Sequence, residues 1–528
     1  MMTVTPEERA SSFLEKARHF QLGHLPTESR HPRTTRLSQL AKENLVEAIR
    51  LFQSVELEAL ENALPRNLDF IAEMSADIAD TLKSGGRVFF CGCGATGRLS
   101  LSLETLWREE VDRLGLTDKS ESVVSFIAGA DYALVRSIEN FEDYPEYGAR
   151  QLHDLGFTAN DLLIGTSEGG ETPFVIGAVE EAARVSKRRP YFLFCNPADV
   201  LAKTVERSRR VIENPNILTK ALETGPMALA GSTRLQATTT LMLEAGAALF
   251  STLDERLIPQ KLIHDFIRTL RETDFSALAP LIEREAENYK QGAYCLHRTD
   301  RYGITVLTDT TERSPTFSLL PFENTFEDNP IPSWTYLVVR DAADARDSWL
   351  KILWREPRAL DWREFKEKFG ATRLNGFDFS PKSIERRAKL VGPERQYIFD
   401  VESGENFFTL HLDGKEARFP RPDHLLNEHL LLKVALNISS TLTMGRLDRF
   451  SGNLMLYVRA ANNKLVDRSI RYIRTLLDDA GIRRYSYDDI CVELFRTVEG
   501  LRPDEPAVWH TFERLRDRDK ELVQSNET

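Results

Sequence analysis

The stretch Arg87-Val88-Phe89-Phe90-Cys91-Gly92-Cys93-Gly94-Ala95-Thr96-Gly97-Arg98-Leu99 constrains this chain more than any other. A short apolar run closes on glycines, passes a small hydroxyl residue and reaches an arginine that opens a helical pattern. That order predicts a buried strand, then a loop whose backbone can approach an anion closely. The helix that follows offers unpaired N–H groups and the positive end of its dipole to the same place.

From 87 to about 250 the pattern alternates strand and helix. Strands are expected at 88–91, 122–127, 161–165 and 191–194, and helices at 99–114, 147–155, 173–186 and 231–250. Such alternation predicts an α/β fold built on a doubly wound parallel sheet, with its ligand at the carboxyl ends of the strands. Upstream, 40–52 and 59–82 carry apolar residues at helical spacing, broken by Pro65 and stopped by Ser84-Gly85-Gly86. Residues 26–34 form a polar arm expected to be extended around its two prolines. Downstream, connecting helices at 258–290 lead into a weaker second alternation. Strands are expected there at 302–307, 334–339, 397–401 and 407–412, with a helix at 344–354. From 427 the pattern is helical to the end, including 430–445 and 464–477. The boundaries that follow are 1–85 for the arm and first helices, 86–257 and 258–450 for two sheet domains, and 451–528 for a helical region.

A formal net charge of -12 over 528 residues argues against a nucleic-acid surface, which needs clustered Lys and Arg. Five scattered cysteines with no framework fit a reducing, cytoplasmic setting. Neither a signal peptide nor a membrane span is expected. The ten histidines show no ligand spacing, so no metal is expected.

Gly92-x-Gly94-x-x-Gly97 satisfies the dinucleotide fingerprint literally, yet the acidic residue that would hold a ribose is misplaced: Asp131 lies too far along. A purely structural tight turn is the other plain reading. A second loop, Gly165-Thr166-Ser167-Glu168-Gly169-Gly170-Glu171-Thr172-Pro173, repeats the strand, hydroxyl, glycine and helix order. Two such loops at successive strand ends suit a phosphorylated polyol, and the lack of a Walker lysine argues against a nucleoside triphosphate. A third stretch, Gly231-Ser232-Thr233-Arg234-Leu235, alone reads as a helix cap. In company with the other two it becomes a site candidate.

These stretches, with Cys195-Asn196-Pro197, resemble the sugar isomerase (SIS) domain family. The resemblance is to the branch containing N-acetylmuramic acid 6-phosphate etherase and glucokinase regulatory protein. Ile127-Ala128-Gly129, residues 138–143, the arm at 27–34 and Asn463-Lys464-Leu465-Val466-Asp467-Arg468 are similar to the same branch. The resemblance implies two flavodoxin-like SIS domains forming a pseudo-dimer, a phosphosugar ligand and no cofactor. Carried over by position, it marks Gly94, Ala95, Thr96, Glu142, Ser167, Gly169, Glu171, Ser232 and Lys464 as ligand contacts. As a plain sequence feature, Lys464 reads as an exposed lysine near a helix N-terminus, where its charge is slightly unfavourable.

In the etherase, one carboxyl abstracts the proton beside the sugar carbonyl and another protonates the departing lactyl ether oxygen. Glu139 falls on the base position. The acid position of the first domain holds Leu106, and Glu104, two residues away, lies on another face of the helix. The acid motif occurs instead in the second domain, as Asp309-Thr310-Thr311-Glu312-Arg313-Ser314-Pro315-Thr316-Phe317, where the matching glycine loop has decayed to Asp300-Arg301-Tyr302-Gly303. The expectation is a fused dimer with one composite site: the loops and Glu139 from the first half, Glu312 and Lys464 from the second. The bland alternative makes Glu312 a surface carboxylate of a vestigial domain. Three functions are compatible with the resemblance: an etherase-like lyase, a sugar-phosphate sensor that inhibits a sugar kinase, and an aldose–ketose isomerase.

Overall fold

A computed structural model of the chain describes residues 5–20, 22–138, 141–254, 256–458, 460, 462–502 and 504–527. Two α/β sheets dominate it. The first contains β1 (Val88–Gly92), β2 (Val123–Ile127), β3 (Leu162–Ser167), β4 (Tyr191–Phe194) and β5 (Leu218–Ala221). Their spatial order is β2-β1-β3-β4-β5, with every pairing parallel. That is the flavodoxin-like order, whose switch point lies between β1 and β3. Both faces are covered by helices, so β1 to β4 are buried along their whole length and read as apolar runs.

The second sheet contains β6 (Tyr294–Thr299), β7 (Thr335–Val339), β8 (Gln396–Ser403), β9 (Phe407–Leu412) and β10 (Lys415–Pro420), in the order β10-β9-β8-β6-β7. Here β6 pairs in parallel with β7 and β8, whereas β8, β9 and β10 form an antiparallel meander. The second sheet thus keeps the expected parallel α/β core around β6 and adds an antiparallel meander at one edge. One correction concerns 302–307. Residues 303–307 open the helix Gly303–Phe317, and the strand lies earlier, at β6. Ile304, Val306 and Leu307 are buried core residues of that helix, and their β-branched, apolar run mimics a buried strand.

The arm at 26–34 is not extended. It folds into two single turns, Pro26–Glu28 and Pro32–Thr34, with Thr27, Glu28, His31 and Thr34 buried. Proline supplies the first position of each turn, where its fixed φ suits helical geometry. Near the middle of the molecule run two helices, Gln236–Phe250 and Leu425–Arg446. All residues of the first and all but Arg446 of the second are buried. Polar threads tie the halves together there. Lys433 Nζ donates to the Arg234 carbonyl at 3.0 Å, and Asp309 accepts from Arg234, Asn437 and Ser440. Among the described residues, no helix is long and apolar enough to cross a membrane.

Candidate functional site

At the carboxyl ends of β1 and β3, where the strand order reverses, lies a cavity of about 180 Å³. Its wall is drawn from both halves. Gly94, Ala95 and Arg98 come from the first loop, Glu142 and Glu168 from later loops of the first half, and Ser232 and Arg234 from the third loop. Glu312 comes from the helix Gly303–Phe317, and Lys464 and Arg468 from the helix Asn463–Asp479.

The first loop is shaped by what a side chain would strike. A Cβ on Gly92 would lie 2.3 Å from the Thr96 carbonyl carbon, and Gly94 has φ +53°, a conformation that favours glycine. Thr96 closes the turn from inside: its Oγ1 accepts from Cys93 N and donates to Cys93 O, both at 3.0 Å. Its hydroxyl is thus engaged within the loop, and Thr96 is not on the cavity wall. At the third loop, Ser232 Oγ is buried with no hydrogen-bond partner among the described residues. An orphaned buried hydroxyl on a cavity wall is a ready contact for a polar ligand.

The second loop spends its polar groups locally. Ser167 Oγ accepts from Gly170 N at 3.1 Å and lies 3.0 Å from Thr172 Oγ1, and the Gly169 carbonyl accepts from Asn196 Nδ2 at 3.0 Å. Ser167 and Gly169 stand behind the wall, and so does Glu171, which accepts from Lys464 Nζ at 2.7 Å and Arg207 Nη2 at 2.9 Å. Lys464 is therefore no free surface lysine. Burial opposes its charge, but Glu171 and Glu28 outweigh that and hold its pKa above the ordinary lysine value. Glu142 accepts from Cys93 Sγ at 3.1 Å and from Asn462 Nδ2 at 2.8 Å, which links the first loop to the cap of the helix bearing Lys464.

Glu312 meets the first half directly. Arg98 Nη1, from the opening stretch, donates to Glu312 Oε1 at 2.6 Å, and Arg98 Nη2 donates to the Ala133 carbonyl at 2.9 Å. Both members of the ion pair are buried, so Glu312 is not a surface carboxylate. Glu139, the expected base, lies outside the described residues; Ser137, Ile138 and Glu142 of the same segment line the cavity. Four charged lining residues are not named as site residues by the sequence: Arg98, Glu168, Arg234 and Arg468. Glu168 lay inside a motif already read for its hydroxyls and glycines. Arg234 lies within the third, just before Leu235.

The mirror-related place in the second half is filled. Asp300 accepts from Ser403 Oγ at 2.7 Å, Arg301 pairs with Glu109 of the first half, and Tyr302 OH donates to Glu428. Leu106, in the acid position, is fully buried. Among the described residues, no cluster of His, Cys, Asp and Glu could hold a metal ion.

Comparison with known proteins matches residues 70–183 to the glucokinase regulatory protein N-terminal SIS domain. An N-acetylmuramic acid 6-phosphate etherase from Nostoc sp. is 37% identical over 221 residues, 42% of this chain and 65% of that relative. A second, from Thermosynechococcus vestitus, is 31% identical over 294 residues, 51% of this chain and 85% of that protein. The chain belongs to the N-acetylmuramic acid 6-phosphate etherase family. Measured against the Nostoc relative, it spans a little under two thirds of the relative's length. Tagatose-6-phosphate ketose/aldose isomerase from Escherichia coli gives a TM-score of 0.39 at 11% identity, covering 81% of this chain and 97% of that one.

Proposed function

We propose that this chain binds a hexosamine or hexose 6-phosphate in the cavity between its halves and acts as an etherase-like lyase. The observation that carries the reading is the Arg98–Glu312 pair, in which the acid-motif carboxylate of one half stands beside the glycine loop of the other. The phosphate would rest on the N–H groups of the first loop and on Ser232, with Lys464 within reach once it exchanges Glu171 for the ligand. Of the other positions marked by resemblance, Gly94, Ala95 and Glu142 would touch the ligand. Thr96, Ser167, Gly169 and Glu171 would shape or counter-charge the loops behind it. In the chemical step Glu139 takes the proton beside the sugar carbonyl. The electron pair expels the lactyl oxygen, and Glu312, protonated and released from Arg98 in the ligand-bound state, supplies the proton that leaves with it. Five unpaired thiols support a reducing, cytoplasmic setting.

The test is incubation with N-acetylmuramic acid 6-phosphate and an assay for released lactate. Release that disappears in both Glu139→Gln and Glu312→Gln supports the lyase. The match of 70–183 to a regulatory protein's domain favours one second reading, a sugar-phosphate sensor. Tight phosphosugar binding without turnover, with capture of a sugar kinase, would select it.

A further inference from the structure

Three carboxyl groups among the described residues face the cavity, and they are not alike. Glu142 has Asn462 and the Cys93 thiol as donors, and Glu312 has Arg98. Glu168, 8% exposed, receives no hydrogen bond from an arginine or lysine among the described residues. Among the described residues the side chain that hydrogen-bonds it is Thr238, whose Oγ1 donates to Glu168 Oε1 at 3.3 Å. That hydroxyl also lies 2.8 Å from the Thr233 carbonyl oxygen, which can only accept. A hydroxyl has one proton to give, and Thr238 shares it between the two oxygens, so its donation to Glu168 is weak. Among the described residues no side chain therefore gives Glu168 the charge-assisted donor that Glu312 has in Arg98.

The surroundings agree. Burial is the largest influence on Glu168 and pushes its pKa up to about 7. Its own backbone N–H, Lys464 and the Thr238 hydroxyl pull it down, while Glu312 pushes it further up. The Cys93 and Cys195 thiols also feel it, both themselves pushed up by burial, and Arg98, Glu142, Arg234 and Arg468 line the same cavity. Cys195 N also donates to the Glu168 carbonyl at 3.0 Å, which fixes the loop from the β4 side.

We propose that Glu168 meets the ligand as a neutral acid and donates its proton to a ligand oxygen, so that phosphosugar binding and protonation of Glu168 are one event. This rests on the phosphosugar reading given above. An ionised Glu168 would share a small, partly desolvated cavity with a phosphate dianion, and the two like charges would repel strongly. The neutral form removes that repulsion and adds a donor. Because the free carboxyl is neutral below about pH 7 and ionised above it, affinity is full on the acid side and falls as pH rises.

Calorimetric binding of glucose 6-phosphate, which has no ether to cleave, tests this between pH 6.5 and 9 in buffers of different ionisation heat. The dissociation constant should rise about tenfold per pH unit above pH 7, with about one proton taken up per ligand at pH 8. Glu168→Gln, which keeps a neutral donor, should bind with little pH dependence over that range and take up no proton. Binding by the wild type with a flat pH profile and no proton uptake would overturn the proposal alone, as would a variant that keeps the wild-type slope. Failure of both glucose 6-phosphate and N-acetylglucosamine 6-phosphate to bind at any pH would overturn the phosphosugar reading and the proposal with it. If Glu168→Gln does not fold, proton uptake by the wild type decides.

Discussion

Glu28 illustrates how a residue behind the cavity wall decides its geometry. The residue is 3% exposed and accepts from Arg468 Nη2 at 2.6 Å and Arg471 Nη2 at 2.8 Å, with Lys464 Nζ 4.0 Å away. Burial works against its charge, but the three cations overcome that and hold its pKa well below the usual carboxylate range. Glu28→Gln should cost roughly 3–5 kcal/mol at neutral pH, because it leaves guanidinium groups in a buried place without their counter-charge. The sign with pH follows from the lowered pKa. The carboxylate's contribution is complete above its unfolded value of about 4.3 and is lost as pH falls below it, so wild type and variant should converge on acidification. Urea unfolding at pH 7 and pH 4 checks this, and a variant within 0.5 kcal/mol of wild type at pH 7 would contradict it. Such a network was not legible in the sequence. Glu28 and Arg468 are separated by 440 positions, and nothing local in the arm marks its carboxylate as buried.

At the scale of the element, the turn from β1 into the helix Ala95–Arg113 depends on Gly92. A methyl there would drive into the Thr96 carbonyl and Gly97 N, which are backbone atoms that cannot swing aside. Gly92→Ala should therefore fold with a loss of about 1–3 kcal/mol and weaken hexose 6-phosphate binding at least tenfold. Calorimetry paired with urea unfolding separates the two effects; unchanged affinity would remove the loop from the site. This turn was legible because a fully buried parallel strand reads as an unbroken apolar run ended by glycines. The same logic failed at 302–307, where a buried helical start carries β-branched residues. It also passed over β6, whose Tyr-Cys-Leu-His-Arg-Thr sequence breaks the apolar run with His297 and Arg298. In β5, all four residues are half-buried, and no run is visible.

For the whole molecule, the account is one of asymmetry between related halves. The first keeps an open loop and the second contributes Glu312, while the mirror place is closed by Arg301–Glu109 and by Tyr302 against Glu428. The half-motifs were legible by counting residues between glycine loop and acid. Closure of the mirror place was not, since it depends on partners more than 120 positions apart. If the composite site lies within one chain, mixing inactive Glu139→Gln and Glu312→Gln proteins should restore no lactate release. Recovery near a quarter of wild-type activity would mean that sites form between chains. The most direct measurement is the binding stoichiometry of a hexose 6-phosphate, titrated calorimetrically against protein of known concentration. One ligand per chain is the predicted result, lost in a variant of the first-half loop such as Gly92→Ala. Two ligands per chain, or one per two chains, would contradict a single cavity built from both halves.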